Sequence, residues 1–251
     1  MDDLKWCINY LKDYNHITTL LDVNDFNTLR GLMNITLPYD LSDEYYKRQD
    51  NILKVLLSKK EITDISSFKD GISLYKGDIT LVKADAIVNA CNNKMLGCFV
   101  PGHHCIDNAI HSFAGLQVRR DMMVIMDKQG HDEVNGDCKV TKAYNLSSKY
   151  IFHTVGPIYS GIEQDEIDLT NCYLSCLRQA DEMGLESIVF CSLATGIYGF
   201  PIEKASSIAI NTVKDYLDKE NKNIKKVVFD LFSGGDYDVY YRKIKEINKW
   251  S

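Results

Sequence analysis

The feature that most limits how this chain can fold is a change of pattern near residue 71. From there on, short apolar runs alternate with longer amphipathic stretches. Ser73–Thr80, Asp85–Cys91, Tyr150–Val155, Ser187–Leu193 and Val227–Ser233 read as strands. Ile106–Gly115, Ile167–Met183, Ile202–Leu217 and Tyr237–Asn248 read as helices. Gly115 and Gly184 stand where such helices end, and Pro201 where one begins. Strands alternating with crossover helices predict an α/β sheet with helices on both faces. In such sheets ligands sit beyond the carboxyl ends of the strands. The loops after Asp85–Cys91 and Ser187–Leu193 therefore become the first places to look for chemistry. The polar stretches Ser160–Asp165 and Asp127–Asn135 read as exposed connections.

Residues 1–70 follow a different pattern. Leu4, Cys7, Ile8 and Leu11 share one helical face. Residues 42–59 read as a second helix, with Ser42 as its N-cap and Tyr45, Tyr46, Ile52, Leu53, Val55, Leu56 and Leu57 along it. No chemistry is visible there. The expected division is a helical extension, 1–70, packed on a main domain, 71–251.

The net charge of −6 excludes a global basic field of the kind that draws in nucleic acid or an anionic membrane. An anionic ligand must then be held by local devices: backbone N–H groups, helix ends or a metal. No apolar run approaches transmembrane length, and Met1-Asp2-Asp3-Leu4-Lys5 lacks the basic-then-apolar start of a secretory leader. A cytoplasmic location is expected. In that reducing setting the eight cysteines are not a disulfide framework. Cys7, Cys138, Cys172, Cys176 and Cys191 read as small core fillers. Cys172 and Cys176, spaced i, i+4, fit a buried helical stripe.

One cysteine-bearing segment is different. Gly97–Cys105, reading GCFVPGHHC, holds two cysteines and two of the six histidines just before a helix. Thiolate and imidazole are ligands that Zn²⁺ takes. Cys98, His103 and Cys105 are the favoured set, with His104 and His111 in reserve. Three protein ligands leave a fourth position open, the catalytic rather than the structural pattern. Neither an HExxH nor a paired CxxC pattern is present. The helix start that follows offers free N–H groups and a positive dipole end, suited to an anion.

A second loop, Ser192–Pro201, reads SLATGIYGFP. It matches neither a Walker A loop nor a GxGxxG fingerprint. Its two glycines let the backbone approach a ligand as an anion nest, or simply make a tight strand–helix connection. Tyr198 is either a core ring or a platform for a sugar. Asp78 is a turn or cap residue, or an acceptor for an exocyclic amine. Asn89 and Asn92-Asn93 suit turns, and amides there can also hold sugar hydroxyls beside a metal loop. Asp107 is a helix-capping or dipole-compensating residue, or one that orients a water or a ribose hydroxyl.

Taken together these segments resemble a macrodomain. The resemblance rests on GDIT (77–80), DAIVNACN (85–92), IDNAIH (106–111), GDCKVTKAYNL (136–146), YIFHTVGP (150–157) and SLATGIYGFP (192–201), in the family's order, with VVFDLFSGGDYDVY (227–240) as the closing strand and helix. It covers residues 72–249. It implies a three-layer α/β/α sandwich with a mixed sheet. It also implies an ADP-ribose site formed by Asp78, Ile79, Asn92, Cys105, Ile106, Asp107, Asn108, Ser192, Thr195, Gly196, Ile197, Tyr198 and Phe232. Asp78 and Ile79 would hold adenine, with Phe232 at that end. Thr195–Tyr198 and the helix start at Ile106 would wrap the diphosphate. Asn92 would reach the distal ribose, and Asp107 matches the acidic residue implicated in hydrolysis. Asp107 and Asn92 are thus the expected catalytic residues.

One departure carries information. MacroD-type proteins have a run of glycines where this chain has Gly97–Cys105. The cysteine- and histidine-bearing loop, with a helical N-terminal extension, is similar to the zinc-dependent macrodomains of bacteria and some fungi. That subgroup removes ADP-ribose from modified proteins. The expectation is a zinc-dependent hydrolase of mono-ADP-ribosylated protein, with by analogy an Asp or Glu ester linkage, or else a Ser linkage. By the same analogy a lipoylated carrier protein and a sirtuin-type ADP-ribosyltransferase are its partners. Two rival readings are an ADP-ribose reader whose zinc braces the loop, and a hydrolase of a small ester such as O-acetyl-ADP-ribose.

Overall fold

Three helices open the chain: α1 (Asp3–Tyr14), α2 (Phe26–Ile35) and α3 (Asp43–Leu57). The computed structural model describes residues 2–248. Met1 and residues 249–251, which the expected extension and main domain include, lie outside the described residues. Each helix starts on a side-chain cap. Asp2 accepts from the Leu4 N–H, Asp25 from Asn27, and Ser42 from Tyr45. Cys7, Ile8, Leu11, Leu29, Leu32, Met33, Tyr45 and Leu53 form a small core of their own. Helix α2 is absent from the sequence reading. Its Gly31 and two asparagines lower helix propensity, but Leu29, Leu32 and Met33 share one face and bury it.

A parallel pair, β1 (Thr63–Asp64) with β3 (Val82–Lys83), leads into the main sheet. That sheet holds β2 (Gly71–Tyr75), β4 (Ala86–Cys91), β5 (Cys138–Lys142), β6 (Tyr150–Val155), β7 (Ser187–Cys191) and β8 (Lys226–Asp230). Their order is β2-β8-β7-β4-β6-β5. All neighbours are parallel except β5, which runs antiparallel to β6 at the edge. Helices α4 (Ile106–Ala114), α5 (Leu116–Gln129), α6 (Glu163–Glu182), α7 (Ile202–Lys219) and α8 (Gly234–Asn248) flank it, giving the expected α/β sandwich with a mixed sheet. The core is ring-rich. Tyr173 packs 5.0 Å from Phe190, and Phe229 packs 5.1 Å from Tyr240.

The first strand ends earlier than expected. Beyond Tyr75 the chain turns, and Asp78 caps a 3-10 turn, Ile79–Leu81. Helix α5 has no counterpart in the sequence pattern: Arg119-Arg120 at its centre breaks the apolar stripe. Arg119 is only 1% exposed. Its guanidinium donates to the carbonyls of Met33, Asn34 and Thr36 at the end of α2, and to Leu96. Strand β5 likewise has no counterpart among the expected strands. Its lysines give it the polar look of an edge strand. Helix α6 begins before the expected Ile167, because Asp165 accepts N–H bonds from Ser160 and Gly161 and folds that connection onto its first turn.

The order of strands places the site. From β4 the chain runs out to the edge strand β5, comes back to β6 beside β4, and then crosses to the other side, through β7 and β8. The reversal falls beside β4, and the loops after β4 and β7 both leave from carboxyl ends at that point. Among the described residues no helix is long and apolar enough to cross a membrane.

Candidate active site

Asn89 and His153 face each other in register on β4 and β6. Both are fully buried. The Asn89 side-chain amide donates to Asp107 Oδ1 at 2.8 Å and lies 3.2 Å from His153 Nδ1. His153 Nε2 lies 2.9 Å from Thr141 Oγ1 on β5. An Asn amide nitrogen has two hydrogens and no lone pair to give. His153 Nδ1 must therefore accept, which leaves Nε2–H to donate to Thr141. Burial holds this histidine neutral by pushing its pKa down to about 3. A four-residue chain, Thr141–His153–Asn89–Asp107, thus fixes one carboxylate from three strands and a helix.

Asp107 sits in the first turn of α4 and is 5% exposed. Burial pushes its pKa up to about 6. The Asn89 hydrogen bond and the charge of Arg119 oppose that rise. His111, one turn on, has its Nε2 3.5 Å from Asp107 Oδ1. This is no ion pair. Burial first, then Arg119 and His153, hold His111 well below its usual range and therefore neutral. Neither of its ring nitrogens has a hydrogen-bond partner.

The loop between β4 and α4 brings Cys98 Sγ, a ring nitrogen of His103 and Cys105 Sγ within 4.8 Å of one another. The Cys98–His103 contact is 3.6 Å. A tetrahedral zinc with bonds of about 2.0–2.3 Å spaces its donors by about 3.5 Å, so the group fits that ion. Burial raises the Cys105 thiol to about 11. A coordinated cation is what would offset that penalty and hold the thiolate. The Asn108 N–H also donates to Cys105 Sγ at 3.4 Å. His104 is exposed, and neither it nor His111 joins the cluster. Gly97 shows why the loop can close. At φ +83° its backbone passes over His111, and a Cβ there would lie 2.8 Å from the imidazole.

The loop after β7 is sharply bent. Ala194 has φ +61° and Gly199 φ +68°. The bend expected of two glycines is therefore shared by one glycine and an alanine, and a Cβ at Gly156 of the β6 loop would lie 3.1 Å from the Ala194 Cβ. Gly196 meets open space. Thr195 Oγ1 donates to Ser192 Oγ, and Gly199 N–H to Gly196 O, so the loop is closed by its own bonds. Ile197 is 80% exposed and Tyr198 half-buried. The first N–H groups of α4, at Ile106 and Asp107, have no intrahelical acceptor.

At the far end β2 and β8 are neighbours, which brings Asp78 and Ile79 to the same side as Phe232. Asp78 Oδ1 accepts from the Thr80 N–H and hydroxyl, so the capping role is filled. Ile79 is buried, and Phe232 is 84% exposed. Asp230, missed in the sequence, accepts from the Gly77 N–H at 3.1 Å. Burial, with Asp78 nearby, pushes it up to about 7.

Two expected residues have other side-chain commitments. Asn92 donates to the Gly97 carbonyl and accepts from the Lys94 N–H. Asn108 receives a bond from Arg30 and donates to the Val100 carbonyl. Arg30, Asn34, Arg119, Thr141 and His153 were not assigned from sequence. Their contacts cross from distant elements, and no local pattern marks them.

The family model described as "Macro domain" matches residues 88–209. A "Protein-ADP-ribose hydrolase" of Treponema medium is 45% identical over 221 residues, 84% of each chain. One of the same description from Staphylococcus aureus strain COL is 41% identical over 249 residues, 94% of this chain and 93% of its own. Among solved structures, a mutant Oceanobacillus iheyensis macrodomain with ADPR superposes with a TM-score of 0.65 at 35% identity, over 70% of this chain and 92% of that one. With the strand order, the capped turn at Asp78 and the two switch-point loops already in place, these likenesses agree on one conclusion: the chain belongs to the macro domain family.

Proposed function

We propose that this protein hydrolyses the bond between ADP-ribose and a modified protein side chain, with zinc held by Cys98, His103 and Cys105. The observation that carries the reading is the carboxylate of Asp107. It is buried, held in one orientation by Asn89, and set two residues after a thiol–imidazole cluster. A loop needing only a brace gives no reason for a buried, oriented acid beside it, and a carboxylate whose pKa burial raises is a candidate for chemistry. Relatives described as protein-ADP-ribose hydrolases, aligned along most of the chain, support the same reading.

In this account adenine lies between Asp78–Ile79 and Phe232. The N–H groups of Thr195–Tyr198, with those at the start of α4 and the side of Ser192, hold the diphosphate. Asn92 exchanges its bond to the Gly97 carbonyl for one to the distal ribose. Bound zinc would supply a Lewis acid at that ribose. Asp107 orients the attacking water or ribose hydroxyl and accepts its proton. The neutral His153 keeps Asn89 turned toward Asp107 throughout. The loops fix the sugar against the acid, which is worth far more than free encounter. The proposed linkage is an Asp or Glu ester, on a lipoylated carrier modified by a sirtuin-type transferase.

The test is to incubate the protein with a mono-ADP-ribosylated protein and measure free ADP-ribose. Release supports the hydrolase. Tight ADP-ribose binding without release would make it a reader. Turnover of O-acetyl-ADP-ribose alone would make it a small-ester hydrolase.

A further inference from the structure

The loop that carries Cys98, His103 and Cys105 is shaped from outside itself. Arg119 holds the Leu96 carbonyl at 2.6 Å, and Asn108 holds the Val100 carbonyl at 2.9 Å. The next two anchors come from the N-terminal extension. The Gly102 N–H donates to Asn34 Oδ1 at 2.9 Å, and Arg30 Nη2 donates to the His103 carbonyl at 3.1 Å. Both residues lie on α2. Arg30 also reaches Asn108 Oδ1 at 2.8 Å and Ser112 Oγ at 3.2 Å, and Asn34 Nδ2 reaches Ser112 Oγ at 3.0 Å. Helix α2 is thus bonded at once to the loop and to α4. Its backbone approaches closely, and a Cβ at Gly31 would meet Pro101 at 3.7 Å. Asn34 is 1% exposed.

We propose that α2 is a clamp on the metal loop, in which Arg30 and Asn34 are positioning residues that set the loop's affinity for zinc. This rests on the reading that Cys98, His103 and Cys105 hold the ion. The argument is one of preorganisation. Three donors on one short loop must meet within a few ångströms, and a free loop loses conformational entropy when they do. A guanidinium on the His103 carbonyl and a carboxamide on the Gly102 N–H fix the peptide that carries the imidazole before metal arrives. Arg30 suits the task because its planar fork spans the loop and α4 together, which a lysine cannot do. Outer-shell partners of this kind change metal affinity by about 10–100-fold.

The experiment measures the zinc dissociation constant of the full chain by competition with a chromophoric chelator, and the visible spectrum of the cobalt-substituted protein. Arg30→Met is expected to weaken zinc binding about 10–100-fold and to alter the cobalt bands. Arg30→Lys keeps the charge but not the fork. It should shift affinity the same way, and it serves if Arg30→Met does not fold. Arg48→Met removes the extension's contacts to Asp3 and Glu44, far from the loop, and should bind zinc as the native chain does. Native affinity and native cobalt bands in both Arg30 variants would overturn the clamp. So would an equal loss in Arg48→Met, because the effect would then be general loosening. A native chain that takes up no zinc would overturn the metal reading itself.

Discussion

Asn89, within strand β4, donates a 2.8 Å hydrogen bond to Asp107 in the first turn of α4. No other side-chain donor is bonded to this carboxylate among the described residues. The bond therefore decides where the acid points. Asp107→Asn removes the charge and the proton acceptor while keeping the shape. Turnover should fall about 10²–10⁴-fold, the usual range for a positioned base, with ADP-ribose affinity within a few-fold of native. Single-turnover rates beside calorimetric binding check this. An equal loss of both would make Asp107 a binding residue.

His153 acts on Asp107 through Asn89. An Asn side chain overlays Nδ1 of a histidine, and a Gln side chain overlays Nε2. His153→Asn should keep an acceptor for Asn89 and retain more turnover than His153→Gln, which keeps only the link to Thr141. Both leave a buried polar group short of a partner and should cost about 1–3 kcal/mol of stability. Rate and urea midpoint, measured on each variant, separate the two effects.

Gly97 is the only residue type that fits its place. Gly97→Ala forces a left-handed backbone costing about 1–2 kcal/mol and drives a methyl into His111. The loop must lift, and the cluster must open. Metal content and melting temperature are both expected to drop. A variant with native zinc content would show that the loop has another way to close.

Asp230 gives a pH dependence that does not involve the metal loop. Its carboxyl is raised from 3.8 to about 7 in the folded chain. Between those values the folded protein keeps a proton that the unfolded chain has released. Stability therefore falls as pH rises through this window, with a limiting slope of about 1.4 kcal/mol per unit. Asp230→Asn keeps an acceptor for the Gly77 N–H and removes the titration. Denaturation curves of the two proteins should converge toward pH 4, and the variant should be the more stable at pH 7 and above.

Cys105→Ala removes a candidate ligand and the sulfur that accepts the Asn108 N–H. Zinc content and turnover should be lost together. Full activity without metal would end the zinc account.

The parts of this fold that could be read from sequence are those whose residues speak locally. Tyr150–Val155 is a short, mostly apolar run rich in β-forming residues and is a strand of those bounds. Ser42, the residue type that caps a helix, accepts from the Tyr45 N–H at the start of α3. Cys98, His103 and Cys105 are close in the chain, and closeness in the chain made them close in space. What escaped depends on distant partners. Arg119 looks like a surface residue in the middle of α5, and only the carbonyls at the end of α2 explain its burial. Arg30 and Asn34 belong to the loop only because the extension docks there. His153 stood inside a recognised segment, but its role depends on its register with Asn89. Ala194, in the left-handed region, carries no signal at all in its residue type.

The most direct measurement is release of ADP-ribose from a mono-ADP-ribosylated protein while a chelator is titrated in, with zinc content read on the same samples. The account predicts that release falls in proportion to bound zinc and returns when zinc is restored, with ADP-ribose binding kept throughout. Undiminished release from zinc-free protein, or binding with no release at any zinc content, would contradict it.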